Sequence, residues 1–524
     1  MSSPLPRVTY ANIRADFSAV HDLLDDLIPA VRAGALGRER LHLIGGEPVA
    51  DGPVYEAPCP IDTRIALGRF HAGDAATVDR AVAAARAAHP GWKALGWPAR
   101  VARVRALADA LDARKHELAA ACLLEVGKSR MEAVGEAEEA VDLARYYCDE
   151  MEANAGFVRP MQRAFANEET TDRLCPVGVF AVIAPFNFPL ALSVNMISAA
   201  LVAGNSVVYK PSEAAGLTGA LLVEVAQQAG LPPGVLNLVT GQAATGAALA
   251  GHPGIDGIAF TGSHAVGMGI LRAVAAGPHN RPVIAEMGGK NPTYVTRSAD
   301  LDIAAEGVMR SAFGLQGQKC SAGSKVYVAA EVHDDFLARL VERAAAIRIG
   351  DPAERDVFMG PVIGPKALAR FTAACDEARR DGRIMHGGDR LSGGLFDHGA
   401  YVEPTIVAGL AADHRLNREE LFLPFLTVLP FDDLAGAIAD GNSVAYGLTA
   451  GIYARDEAEL DRFLDTAEAG VLYANRASGA TTGAWPGIQT FCGWKGSGVS
   501  SKGGLGPYYL PQFMREQSLT IWRA

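Results

Sequence analysis

The chain has no Cys-x-x-Cys pair, no basic cluster, no G-x-G-x-x-G after a predicted strand and no P-loop. Each absence excludes something. Seven cysteines stand apart, at Cys59, Cys122, Cys148, Cys175, Cys320, Cys375 and Cys492. An odd number without ligand spacing indicates neither a zinc site nor a disulfide framework, and no other metal site is expected. A reducing compartment, the cytoplasm, fits this usage. Lysines and arginines are dispersed and the formal charge is −11, which argues against nucleic acid and anionic membrane as partners. The opening Met-Ser-Ser-Pro-Leu-Pro-Arg lacks the apolar core of a secretion signal. The missing glycine fingerprints mean that ordinary motifs would not find a dinucleotide site.

Charge is also missing from residues 176–209, a stretch longer than a membrane span requires. Pro185, Asn187, Pro189, Asn195 and Asn205 interrupt it. Such breaks suit a buried strand, loop, helix and strand better than a membrane helix.

At 524 residues, with 49% hydrophobic and 20% charged side chains, the chain reads as a globular protein of two or three domains. Residues 1–40 read as a helical arm, 75–122 as two amphipathic helices and 132–155 as another. From 178 onward short apolar runs alternate with helical patterns: strands at 178–184, 206–210, 235–239 and 257–261, helices at 191–203, 214–229, 243–250 and 263–276. This alternation predicts a doubly wound parallel sheet in an α/β fold. Sites in such sheets lie at the C-terminal ends of strands, where Asn187, Lys210 and Gly262 fall.

Two short patterns carry chemistry. Residues 311–324 contain F-x-x-x-G-Q-x-C, ending at Cys320 in a small, polar, glycine-flanked setting. A thiol that only fills a core usually sits among aliphatic side chains, whereas one that attacks needs room and nearby backbone donors. The residues alone leave both readings open. Residues 285–290, Ala-Glu-Met-Gly-Gly-Lys, place Glu286 at the end of an apolar run before two glycines. By itself that carboxylate reads as a solvated turn. Together, a thiol and a carboxylate can run acyl chemistry: the thiolate attacks a carbonyl and the carboxylate activates the water that releases the acyl group.

Further motifs follow in order: Ala-Pro-Phe-Asn-Phe-Pro at 184–189, Lys-Pro-Ser-Glu at 210–213, Phe-Thr-Gly-Ser at 260–263, Glu-Glu-Leu-Phe at 419–422, and Asn442 with Tyr446-Gly-Leu. With Glu286 and Cys320, this series resembles the aldehyde dehydrogenase superfamily from about residue 40 to the C-terminus. The resemblance implies an α/β fold with a doubly wound cofactor domain, an α/β catalytic domain and a small β oligomerisation element. The expected divisions are an arm at 1–40, an NAD-binding domain at 41–155 and 176–288, a catalytic domain at 289–495, and an oligomerisation element at 156–175 and 496–524. The tail stretch Leu519–Trp522 reads as an edge strand. A homodimer or higher oligomer is implied.

The resemblance further implies Cys320 as nucleophile, Glu286 as general base, and the Asn187 amide with the Cys320 N–H as the oxyanion site. Lys210 and Glu213 match adenosine-ribose contacts. Glu213 would repel a 2′-phosphate and so favours NAD. Gly262 and Ser263 would offer a helix N-terminus to the pyrophosphate, with Gly267 allowing close approach; Ser263 can equally be a helix cap. Glu420 and Phe422 match the nicotinamide-ribose contacts of E-x-F-G-P, although Leu423 replaces its glycine.

Residues 476–498 resemble the carboxylate-anchoring loop of the 1-pyrroline-5-carboxylate dehydrogenase branch. In that branch Gly479, Ala480 and Ser321 would bind a substrate carboxylate, and Phe186 replaces the commoner tryptophan. The alternative for this segment is a glycine-rich surface loop. Thr490 and Cys492 depart from the loop pattern, and the stretch Trp485–Gly487 is longer. The implied reaction is oxidation of glutamate γ-semialdehyde to glutamate. The alternatives are a broader or different semialdehyde dehydrogenase, an acyl-transferring or esterase enzyme using the same thiol, or a non-catalytic protein on the same scaffold.

Overall fold

The computed structural model describes residues 5–13, 15–477 and 482–523. The alternating region folds nearly as its pattern predicts. Strands Val179–Ile183, Ser206–Lys210, Leu236–Leu238 and Gly257–Thr261 are separated by helices Ala191–Ala203, Gly216–Gln228 and Ala243–Gly251. Helix His264–Ala275 and strand Val283–Glu286 complete the series. These five strands are parallel. Their runs of Val, Ile and Ala are buried on both faces, which is what helices on either side of a parallel sheet require.

The spatial order fixes where a ligand can enter. From Val179–Ile183 the chain winds outward through Ser206–Lys210 to Leu236–Leu238. It then returns to place Gly257–Thr261 on the other side of the first strand. The winding reverses between Val179–Ile183 and Gly257–Thr261, and a crevice opens at their C-terminal ends. The sheet is not wholly parallel. The hairpin His42–Ile44 and Glu47–Val49 adds two antiparallel strands at one edge, a local pairing that the βα alternation does not announce.

A second seven-stranded sheet runs through 291–474. Its central strands Asn291–Val295, Gly323–Ala329 and Phe425–Phe431 are parallel, and Arg383–His386 is an antiparallel edge. A third sheet joins Val158–Pro160, Glu168–Pro176 and Met514–Trp522. The C-terminal strand is nine residues long, from Met514, rather than the four read from the sequence. Residues 496–505, by contrast, pack on Glu286 and Met287.

The uncharged 176–209 stretch is strand, 13-residue helix and strand, and no described helix is long and apolar enough to cross a membrane. The N-terminal region is only partly helical. Helix Ser18–Ala35 buries Val20, Leu24, Ile28 and Val31, while residues 5–13 form no helix.

Two buried carboxylates set the loops around the crevice. Glu136 pairs with Lys128, both fully buried. Its other oxygen accepts from the N–H groups of Leu190 and Ala191, at 2.8 and 3.2 Å, at the start of helix Ala191–Ala203. Lys128 in turn donates to the Asn187 carbonyl at 2.8 Å. Removing one partner of such a pair strands the other charge, at about 3–5 kcal/mol. The pair therefore fixes the 187–191 backbone. Glu125 does the same for helix Gly216–Gln228 by accepting from Leu217 and Thr218 N–H at 2.6 and 2.9 Å.

Candidate active site

The Cys320 segment follows helix Leu301–Phe313 through a tight turn. Leu315, Gln316 and Gly317 all have positive φ, at 49°, 56° and 64°. A side chain at Gly317 would meet the Leu423 carbonyl oxygen at 2.1 Å, so this position needs glycine. The glutamines of the motif hold the turn from both sides. Gln316 donates to the Gly127 carbonyl at 2.9 Å, and Gln318 accepts from Ile363 N–H at 2.9 Å. Asn291 clamps the far side by donating to the carbonyls of Cys320 and Ala322 at 2.7 and 2.9 Å. The thiol thus sits on backbone tied to three other elements.

Cys320 lines two cavities at once. One is a cleft of about 810 Å3 over the C-terminal ends of the first sheet. The other is a smaller cavity of about 90 Å3 on the opposite side. The crevice rule that locates Asn187, Lys210 and Gly262 does not locate Cys320. The thiol precedes its strand, Gly323–Ala329, so the N-terminal edge of the second sheet supplies it.

Glu286 ends its strand facing the smaller cavity, and its carboxylate accepts from Gly504 N–H at 3.0 Å. Burial raises its pKa to about 7, against the pull of that one hydrogen bond. Burial also pushes the Cys320 thiol up to about 12, helped by the negative charges of Glu286 and Glu420. The thiol is therefore protonated at neutral pH in this state. The Asn187 side chain donates to the Gln318 carbonyl at 2.9 Å, two residues before the thiol. One of its two amide N–H groups is left for another acceptor.

The large cleft gathers Lys210, Glu213, Gly262, Ser263, Glu420 and Phe422. Lys210 is buried, and its Nζ donates to the Pro211 carbonyl at 3.0 Å. Burial lowers it to about 8, with Glu213 opposing. Ser263 caps helix His264–Ala275 by accepting from Val266 N–H at 3.4 Å. Gly262 departs from expectation. Its N–H is spent on the Glu286 carbonyl at 3.1 Å, and its lack of a side chain makes room for the Phe260 ring. The anion-binding end of the helix therefore begins after it. Gly267 also differs, since a side chain there would meet Met287 Sδ at 2.5 Å. Its close approach is helix to strand.

Glu420 accepts from Gly289 N–H at 3.0 Å and presses on Gly288, where no side chain would fit. Phe422 has φ of 57°, and its ring meets Phe186 edge-on at 5.9 Å. Leu423 lacks a positive φ and is buried, so glycine is not required at that position.

The smaller cavity holds Ser321 with Cys320 and Glu286 as expected, but Phe188 lines it and Phe186 does not. The strand-to-helix loop turns alternate rings to opposite sides. Gly479 and Ala480 lie outside the described residues; Thr482 and Ala484 just after them line this cavity. Sequence reasoning missed Tyr10, Glu132, Glu139, Asn195 and Lys319, which all line it. Lys319 Nζ meets Glu132 Oε1 at 2.6 Å. Burial pushes Glu132 up, but Lys319, Lys128 and Ser129 together bring it below the ordinary carboxylate value. Lys319 neighbours the thiol in sequence and could have been read; its partner 187 residues away carries no local signal.

A family model described as "Aldehyde dehydrogenase family" matches residues 50–519. The chain belongs to the aldehyde dehydrogenase family. Among its relatives in that family is 1-pyrroline-5-carboxylate dehydrogenase 1 of Halalkalibacterium halodurans, 36% identical over 93% of each chain. The alpha-ketoglutaric semialdehyde dehydrogenase of Bacillus subtilis is 35% identical over 84% of this chain and 90% of the relative. Among solved structures, a Thermus 1-pyrroline-5-carboxylate dehydrogenase with bound NAD superposes with a TM-score of 0.92 at 32% identity, covering 100% of both chains. Proline utilization A from Bdellovibrio bacteriovorus superposes with a TM-score of 0.91 at 34% identity; this aldehyde dehydrogenase chain spans about half of it, 52%.

Proposed function

We propose that this enzyme oxidises L-glutamate γ-semialdehyde, in equilibrium with 1-pyrroline-5-carboxylate, to glutamate with NAD. The observation that carries the reading is Cys320 standing between a dinucleotide-sized cleft and a small cavity with a charged end. In that cavity the Lys319 cation suits an α-carboxylate, the Glu132 carboxylate suits an α-amino group, and Ser321 adds a hydroxyl.

The residues of the large cleft fit NAD. Lys210 Nζ is buried with one hydrogen bond among the described residues, which leaves donors for ligand hydroxyls. The capped N-terminus of helix His264–Ala275 opens on the same cleft and suits a pyrophosphate. Glu213 lies beside Lys210, where it would accept from a ribose 2′-hydroxyl, and Glu420, whose charge reaches the Cys320 thiol, lines the same cleft with Phe422. NAD in this cleft supplies a two-electron acceptor for hydride.

The Cys320 thiol first gives its proton to solvent water; the thiolate sulfur attacks the aldehyde carbon, and the second Asn187 N–H with the Cys320 N–H receives the oxyanion. Loss of hydride from that carbon leaves a thioester on Cys320. Glu286 then takes a proton from water as its oxygen attacks the thioester carbonyl; the C–S bond breaks, releasing the acid and the thiolate. The free cysteines fit a cytoplasmic setting. Exposed Ile521 and Trp522 on the third sheet, with exposed Met161 and Phe165 in the connection between two of its strands, favour assembly of copies through that side.

Steady-state assays with NAD test the substrate. Glutamate semialdehyde should exceed pentanal by on the order of a hundredfold or more in kcat/KM, because donors built for a polar group are left unpaired by an apolar one. The semialdehyde of 2-oxoglutarate, with a keto group that cannot pair with Glu132, should fall between them. Pentanal matching glutamate semialdehyde would contradict the carboxylate reading.

NAD should be preferred over NADP, and Glu213→Gln should narrow the gap in kcat/KM. Equal use of both cofactors by the wild type would show that Glu213 does not meet the ribose.

A further inference from the structure

We propose that Tyr10 is the specificity-determining wall of the acyl cavity. It comes from a segment ahead of the region, 50–519, that matches the family model. Tyr10 lines the same cavity as Cys320, Glu286 and Ser321. Four contacts hold its ring. The hydroxyl donates to Glu139 Oε2 at 2.9 Å. The ring meets Phe188 and Trp485 edge-on, at centroid distances of 6.3 and 5.6 Å. Its fourth neighbour is Gly135 of helix Arg130–Ala153, where an added Cβ would stand 3.0 Å from Tyr10 Cε1.

The segment is also tied down beside the ring. Arg7 pairs with Asp142 and, at 3.3 Å, with Glu138 on that helix. Trp485 donates to the same Asp142 at 2.7 Å. Residues 7–10, helix Arg130–Ala153 and the 482–485 stretch therefore close one end of the cavity as a unit, to whose lining Tyr10 contributes an aromatic ring. A fixed aromatic wall limits how long an acyl chain can extend from the thiol. One methylene too many against such a wall is worth about 10–200-fold in kcat/KM.

The inference rests on aldehyde oxidation at Cys320 and is independent of which aldehyde is physiological. The test is kcat/KM for octanal relative to propanal, with NAD, in wild type, Tyr10→Phe, Tyr10→Leu and Tyr10→Ala. Tyr10→Ala should raise that ratio by about tenfold or more, with Tyr10→Leu intermediate. Tyr10→Phe, which keeps the ring, should stay within about twofold of wild type. Thermal melting checks each fold. Tyr10→Leu keeps an apolar anchor for the segment and reads the same ratio if the alanine variant does not fold. A ratio unchanged in both Tyr10→Leu and Tyr10→Ala, with the wild type active, overturns the wall assignment alone. A wild type inert towards every aldehyde overturns oxidation at Cys320, and this assignment with it.

Discussion

Replacing Cys320 by alanine should abolish aldehyde oxidation, by on the order of a thousandfold or more, while NAD still binds. The expected size follows from the placement of the thiols. Cys320 is the cysteine that lines both cavities among the described residues. Cys122, Cys148 and Cys375 are buried in apolar cores. Cys492 directs its sulfur at the Gly470 carbonyl, 3.2 Å away. Cys59 is buried in the same core as Cys122, with its sulfur on the Leu124 carbonyl at 3.1 Å, and Cys175 lies on the third sheet, 3.5 Å from Gln517 Oε1, so no other thiol lines both cavities. Turnover and a fluorescence titration with NAD on the variant check both halves. Oxidation within tenfold of wild type would remove Cys320 from the mechanism.

Glu286→Gln should separate acylation from hydrolysis. The amide keeps an acceptor for Gly504 N–H, so the loop it anchors should stay in place, but it cannot take a proton from water. The first-turnover NADH burst should survive, while steady turnover falls by about a hundred- to ten-thousandfold. Equal loss of both phases would place Glu286 in thiol activation instead. The pH profile gives a second reading of the same group. Burial disfavours the charged carboxylate, so the pKa rises to about 7 and the base is lost as pH falls through that value. Hydrolysis-limited kcat in the wild type should drop about tenfold per pH unit below it, and Glu286→Gln should lack that limb.

Much of the first sheet was legible because apolar runs and helical patterns alternate cleanly from 178 to 276, and buried parallel strands leave that mark. The crevice followed from the same alternation. The antiparallel hairpin at 42–49 was not legible, since three-residue strands at a sheet edge have little pattern of their own. Cys320 and Glu286 were singled out by the ordered series of motifs around them, not by either residue alone; the glycines those motifs carry, Gly317 and Gly288, are sterically required in the structure. What approaches Gly262 and Gly267 was not legible, because a glycine in sequence does not name its neighbour. In the structure the neighbours are Phe260 and Met287. The remaining walls of the small cavity were invisible for a different reason. Tyr10, Glu132 and Glu139 come from parts of the chain far from the thiol, and only packing of the N-terminal segment and helix Arg130–Ala153 against the thiol loop brings them to it.

The thioester on Cys320 is the central claim, and trapping it is the most direct test. Glu286→Gln is mixed with NAD and glutamate semialdehyde, quenched in acid within the burst, digested and weighed. The account predicts that the peptide carrying Cys320 gains the mass of one γ-glutamyl group, in proportion to the NADH formed, and that no other cysteine peptide does. A full NADH burst with Cys320 unmodified, or the added mass on a different residue, would contradict it.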